Sequence, residues 1–408
     1  MRKILLIGLS IASITTNAAS LEVLHWWTAP GEIASLKLLE KNINDKGIEW
    51  KNFAVVGGGG DSAMRVLQIR ALAGNPPDVA QIKGPDIGEW AKVGVLYPLK
   101  DIVDTSSWHT LFPQVVQDTV TFNNQYMAVP INIHRVNWLW INTKIFKQLN
   151  LKIPETWDAF FDVADKIKAA GYLPLAHGST PWQDTLLFDS MALSLLGPEK
   201  YKQAFVERNN SVLNSPEMVA VFKKFKRLHD YVDKRLVGED WYVASKLIET
   251  DKAAMQFMGD WAKGVWHQDG KIAMTDYICA DVPESKGVFS YNIDSFVLFK
   301  QQDTNQKEIQ KAFVDTLLSK SFQREFNINK GSIPVRNDMD MTQFDRCAQK
   351  SYYDFNHSSL VPSFTQNMAI TSHLRNIIVD IISNYFNHPN ANAEEAVKHL
   401  STAIRALK

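Results

Sequence analysis

"LEVLHWWTAPGEIASLKLLEKNINDKGIEWKNFAVV", residues 21–56, reads as strand, turn, helix and strand. Residues 21–25 have strand character, residues 32–44 have helical character, and residues 50–56 return to strand before the run Gly57 to Gly60. Asp61 then caps a helix that reaches Ala73, where Gly74-Asn75-Pro76-Pro77 stops it, and residues 78–82 read as a third strand. This alternation is the βαβ rhythm of an α/β sheet. The turn in the quoted stretch holds two adjacent tryptophans. Successive side chains leave opposite faces of a strand, so Trp26 and Trp27 cannot both enter one core. At least one ring has another partner.

Further along, residues 128–133 lead into a strand over 136–142, with Trp138 and Trp140 at period two as core rings. Helices are expected over 155–170, 215–233, 309–318 and 391–407, and strands over 277–280 and 295–299. Trp108 and Trp157 lie beside helix starts and read as packing residues. There is no repeat and no long polar linker. At 408 residues the chain exceeds the usual size of one core and implies about two domains, interleaved in sequence.

Met1-Arg2-Lys3, an apolar run over 4–14 and Thr15-Thr16-Asn17-Ala18-Ala19 have the order of a secretory signal, cleaved near Ala18 or Ala19. The run falls short of the roughly 20 apolar residues that cross a bilayer as a helix, so a soluble, exported chain is expected. Without Arg2 and Lys3, 42 basic residues face 44 acidic ones, a net charge of −2. Scattered charge of both signs excludes the basic stripe of a nucleic-acid binder. Two cysteines, Cys279 and Cys347, in an oxidising compartment point to one disulfide; the alternative is two buried free thiols. With no His-Glu-x-x-His, no Cys-x-x-Cys and ten scattered histidines, no metal site or cofactor is expected. The mature chain lacks a Gly-x-Ser-x-Gly elbow, and Gly57 to Gly60 is not followed by the Lys-Ser/Thr of a phosphate loop.

What remains is aromatic rings interleaved with fixed polar groups: Trp26-Trp27 with Glu32, Gln81 with Lys83, Trp182-Gln183-Asp184, Asp240-Trp241, Gly259-Asp260-Trp261, Tyr291 to Asp294, and Asn329-Lys330-Gly331. A sugar ring presents apolar C–H faces and a rim of hydroxyls, which indoles and carboxylates, lysines or amides satisfy in turn. Each residue also has a plainer reading. Glu32 sits in a first helical turn, where the dipole alone stabilises an acid, and Lys83 and Lys330 have the character of solvated lysines. A secreted glycoside hydrolase using Glu32 and Asp294 is the competing function, and it needs one carboxyl with a raised pKa.

At these residues the chain resembles the periplasmic glucose-binding proteins of bacterial ABC transporters, within the maltose-binding type of extracellular sugar-binding protein. The resemblance runs through "HWWTAPGE" (25–32), "GNPPDVAQIKGPDIGEWA" (74–91), "VPINIHRVNWLWIN" (129–142), "PLAHGSTPWQD" (174–184), "MGDWAKG" (258–264), "YNIDSF" (291–296) and "INKGSIPVRNDM" (328–339). It implies an α/β, two-lobe periplasmic-binding-protein fold of type II, with ligand in the interlobe cleft and three chain crossings, near Pro130, Pro283 and Arg336. Lobe one would comprise 21–130 and 284–335, and lobe two 131–283 and 336–408. Carried over by position, the ligand-binding residues are Trp26, Trp27, Glu32, Gln81, Lys83, Trp241, Trp261, Asn292, Asp294 and Lys330, with Trp27 favoured as the ring that meets the sugar. Where the family carries a histidine before "NMA", this chain has Gln366, which still donates and accepts. The implied function is capture of glucose or a similar monosaccharide, with no catalysis, by a monomer serving the permease of an inner-membrane ABC transporter. Another sugar, such as mannose or a short oligosaccharide, is the alternative ligand.

Overall fold

A computed structural model of the chain describes residues 19–57, 60–301 and 305–406. The expected secretory signal lies, through residue 18, outside the described residues, as do Gly58 and Gly59. In the opening unit, β1 (Ser20–His25) and β2 (Glu49–Ala54) pair in parallel across the Pro30–Asn44 helix. After the Asp61–Leu72 helix, β3 (Val79–Gln81) joins the other side of β1, again in parallel. β1 divides its side chains as a strand must: Leu21 and Val23 enter one buried core, and Leu24 enters another. The expected role of Asp61 as helix cap is not realised. The N-cap is Gly60 at φ 111°, a conformation suited to glycine, and Asp61 is the first helical residue, its carboxylate engaged by Arg375.

The remaining strands are β4 (Thr121–Phe122), β5 (Gln125–Tyr126), β6 (Val129–Arg135), β7 (Trp138–Asn142), β8 (Leu173–Leu175), β9 (Ala253–Phe257), β10 (Tyr277–Asp281), β11 (Val288–Leu298), β12 (Ile333–Pro334) and β13 (Ser359–Pro362). Among the described residues, seven form one sheet in the order β12-β6-β11-β3-β1-β2, with β13 also paired to β11. A second sheet has the order β10-β7-β9-β8, and β4 pairs with β5. β11 runs antiparallel between β3 and β6, so a strand from late in the sequence completes the sheet begun at residue 20. In β7, Trp138 and Trp140 face a core shared with Trp266 and Tyr277, while Leu139 and Ile141 face the core of Phe160 and Phe188. Both tryptophans are core, as the period-two spacing implies, and so are Trp108 and Trp157.

The two sheets are joined by short passages, at Val136–Asn137 between β6 and β7 and at 282–287 between β10 and β11. Arg135 binds these passages together. Its guanidinium, 1% exposed, donates to Asp281 at 2.8 Å and Asp354 at 2.5 Å and lies 4.0 Å over the Trp138 ring. Two carboxylates and an aromatic face compensate the loss of hydration of a buried cation.

Cys279 of β10 and Cys347 of the Arg346–His357 helix form a disulfide, which excludes the free-thiol alternative. The bond spans 68 residues, and the chain-entropy model assigns a loop of that length about 4 kcal/mol. A Cys279→Ser, Cys347→Ser double variant is expected to unfold at a clearly lower urea concentration, read by fluorescence. No helix among the described residues is long and apolar enough to cross a membrane.

Candidate functional site

A cleft lies between the large sheet and the helices that pack on the second sheet. One wall comes from β1 and β11. The chain leaving β1 turns at Trp26, Trp27 and Thr28 into the Pro30–Asn44 helix, and the pleat of β11 sends Asn292 and Asp294 to the same side. A bulge between Asp294 and Ser295 shifts the β11–β6 register at that point; such bulges re-aim side chains. The opposite wall comes from the starts of three helices, Pro181–Phe205, Trp241–Glu249 and Trp261–Gln268, each beginning with or next to a tryptophan.

All the residues expected in the site line this cleft except Gln81. Gln81 is fully buried behind Asp294, donating from Nε2 to Asp294 Oδ1 at 3.3 Å. The adjacent tryptophans separate as their opposite directions require. Trp27 is 2% exposed and packs between Phe296 and Phe326, each 5.5 Å away. Trp26 is half-buried, with Lys83 Nζ 5.3 Å from its ring. Gly60 lies so close that a Cβ there would come within 3.2 Å of the Trp26 indole. Glu32 is held from two directions: Oε2 accepts from the backbone N–H of Thr28 and Ala29, and Oε1 accepts from Lys330 Nζ at 2.7 Å. Glu32 thus both caps the helix start and lines the cleft.

His134 and Trp182 also line the cleft. Trp182 belongs to a stretch singled out in the sequence, but its neighbours Gln183 and Asp184 are buried elsewhere, Asp184 bonding His177, Ser179, Ser383 and Asn387. His134 was not anticipated. Its signal is the pattern Ile131-Asn132-Ile133-His134, in which polar residues recur at period two inside an apolar strand.

His134 stands between two carboxylates. Nδ1 bonds Asp260, and Nε2 faces Asp294 Oδ2 at 3.2 Å and the Asn132 amide nitrogen at 2.9 Å. Burial favours the neutral ring, but the charge and hydrogen bond of Asp260 and the hydrogen bond of Asp294 outweigh it and raise the His134 pKa. Burial would likewise push the Asp294 carboxyl up, yet His134, Lys83 and Lys330 more than offset it and hold Asp294 well below the usual carboxylate range. Lys83 is pushed down to about 8 by burial, with Asp294 opposing and Arg375 and Lys330 reinforcing the drop. Its Nζ lies 3.3 Å from Gln366 Oε1. Asn292 Oδ1 is buried and without a partner. The cleft thus offers fixed acceptors, cationic donors and indole faces to one small polar molecule.

Residues 33–324 match the family described as bacterial extracellular solute-binding protein. The chain is 38% identical over 407 residues to a probable sugar-binding periplasmic protein of Rhizobium meliloti (strain 1021), covering 98% of this chain and 97% of that one. It is 34% identical to an ABC transporter extracellular-binding protein of Pyrococcus horikoshii, over 97% of this chain and 88% of the other. A solved chitin oligosaccharide binding protein superposes with a TM-score of 0.81 at 18% identity, over 95% of this chain and all of that one.

Proposed function

The chain belongs to the bacterial extracellular solute-binding proteins, and from that premise we propose that it captures a sugar, glucose or a similar monosaccharide, by closing its cleft. The observation that carries this reading is the meeting of indoles with buried, hydrogen-bonding charges in one cleft. Trp26, with a half-buried ring, is the better candidate than the packed Trp27 for stacking on a sugar face. Asp294 and Asn292 serve as acceptors for hydroxyls, Lys83, Lys330 and Gln366 as donors, and Trp241 and Trp261 as the opposing apolar wall. Gln81 supports Asp294. A carboxylate held well below its ordinary pKa suits an acceptor rather than the proton donor that glycoside hydrolysis requires.

In this reading the large sheet and the second sheet anchor two lobes, and sugar touching both binds the closed form better, which shifts the equilibrium toward closure. β6 remains in the large sheet through Arg135, so the first crossing is drawn at Val136–Asn137 rather than Pro130, and β13 pairs with β11 in the same sheet, so the third is drawn after Pro362 rather than near Arg336. The closed, sugar-loaded monomer would present its cargo to the permease of an ABC importer from the periplasm. Screening melting temperature against a panel of sugars tests the proposal. Glucose or a close relative at about 1,000 times its Kd stabilises the native state by ~4 kcal/mol and raises the midpoint by several degrees. A panel that leaves the midpoint unmoved contradicts it.

In this reading a sugar oxygen accepts from the Lys83 ammonium, so Lys83→Met should bind more weakly, read by calorimetry at pH 7.

A further inference from the structure

Beside the cleft lies a contact between the two bodies that is not made by its wall residues. Asp61 opens the Asp61–Leu72 helix, whose Ala63, Met64 and Leu67 pack with Leu24 and Ala80 of the large sheet. Arg375 belongs to the Ser372–Asn387 helix, whose Leu374 and Ile378 pack in the core beneath the second sheet. Both Asp61 carboxylate oxygens accept from Arg375 Nη1, at 2.6 and 2.7 Å, and the arginine is 1% exposed. Arg375 Nε donates to the Thr365 carbonyl at 2.5 Å, and Thr365 precedes Gln366, the partner of Lys83. Nearby, Ser372 bonds Asp86 through its backbone N–H and its hydroxyl. Gly84, at φ 53°, approaches the Asn367 carbonyl so closely that a Cβ would lie 1.9 Å from its oxygen. Residues 363–368 run off β13 and Met368 packs in the large-sheet core, so it is the Asp61–Arg375 and Asp86–Ser372 contacts that tie the Ser372–Asn387 helix to the large-sheet body.

We propose that Asp61 and Arg375 are a positioning pair for ligand capture, which ties the Asp61–Leu72 helix to the Ser372–Asn387 helix and holds the cleft shut on the sugar within it. This rests on the reading that the cleft closes on a sugar. Because the two helices pack in different cores, a pair between them favours the closed state, where the guanidinium leaves water and needs a carboxylate. It therefore adds to the closed state without touching the ligand. The apparent dissociation constant scales inversely with the closed, competent fraction, so loss of the pair weakens every sugar by the same factor. The loss appears mainly in the release rate, as for other buried charge pairs across an interface.

Asp61→Asn and Asp61→Glu test this, titrated with glucose and every other sugar the wild type binds, with release rates from stopped-flow fluorescence and the melting temperature of sugar-free protein. Asp61→Asn should weaken all of them at least tenfold by a common factor through faster release. Asp61→Glu should recover most of the loss, and the sugar-free melting temperature should stay within about a degree of wild type. Unchanged affinity in Asp61→Asn overturns the proposal, as does a loss confined to one sugar, which marks a direct ligand contact. A drop of several degrees in the sugar-free protein also overturns it, because the pair would then belong to the resting fold. A wild-type protein that binds no sugar overturns the reading beneath it; wild-type binding that survives intact in Asp61→Asn overturns this inference alone.

Discussion

Asp294→Ala is expected to weaken sugar binding about a hundredfold, ~2.7 kcal/mol, while leaving the protein folded. The size follows from what this carboxylate does. It is buried on β11, receives amide donors from Gln81 and Asn292 at 3.3 Å, faces His134 at 3.2 Å, and carries the negative charge that opposes the fall in the Lys83 pKa. Alanine removes a charged acceptor from the sugar and also strips Lys83 of that support, so the ammonium donor becomes harder to keep charged. Hydrogen bonds to charged groups contribute about 1.5–3 kcal/mol each, and one such bond with its effect on Lys83 accounts for the figure. Calorimetry at pH 7 measures the affinity, and an unchanged melting temperature without sugar separates a binding defect from a folding defect.

Gly264→Ala is expected to act in opposite directions on the sugar-free and sugar-bound protein. Gly264 lies inside the Trp261–Gln268 helix, where alanine ordinarily gains ~0.5–1 kcal/mol over glycine. Yet a Cβ at Gly264 would stand 2.6 Å from the Asn329 carbonyl oxygen and 2.9 Å from that of Lys330, and Gly31 presses on Gly264 from the Pro30–Asn44 helix. These neighbours are backbone and cannot swing away. The Asn329 side of the contact belongs to the Lys320–Lys330 helix, whose Phe322 and Phe326 pack on the large sheet, whereas Trp261 and Trp266 pack on the second. In the proposed closure, backbone meets backbone at these glycines. Overpacking of this kind costs about 2 kcal/mol, so affinity should fall roughly thirtyfold. The sugar-free melting temperature should hold or rise. A fall in both would show that the contact belongs to the fold in either state.

Much of this was legible in the sequence because it rests on local periodicity. The βαβ opening, the period-two tryptophans of β7 and the polar residues of β11 are each set by neighbours a few residues away. The place of Gln81 was not legible, since only the antiparallel pairing of β3 with β11 puts it behind Asp294 instead of on the wall. Nor was the difference between Trp26 and Trp27, which depends on Gly60 approaching one ring and on Phe296 and Phe326 enclosing the other. Asp61 reads as a helix cap from its position before an apolar run. Its actual partner, Arg375, is 314 residues away and invisible to any local rule.

Calorimetric titration of wild type and Asp294→Ala with glucose decides whether one sugar is gripped between indoles and buried charges in this cleft. Saturable binding of one sugar per wild-type chain is expected, with affinity about a hundredfold lower in the variant. Equal affinity in the two proteins would mean that the sugar is not held there.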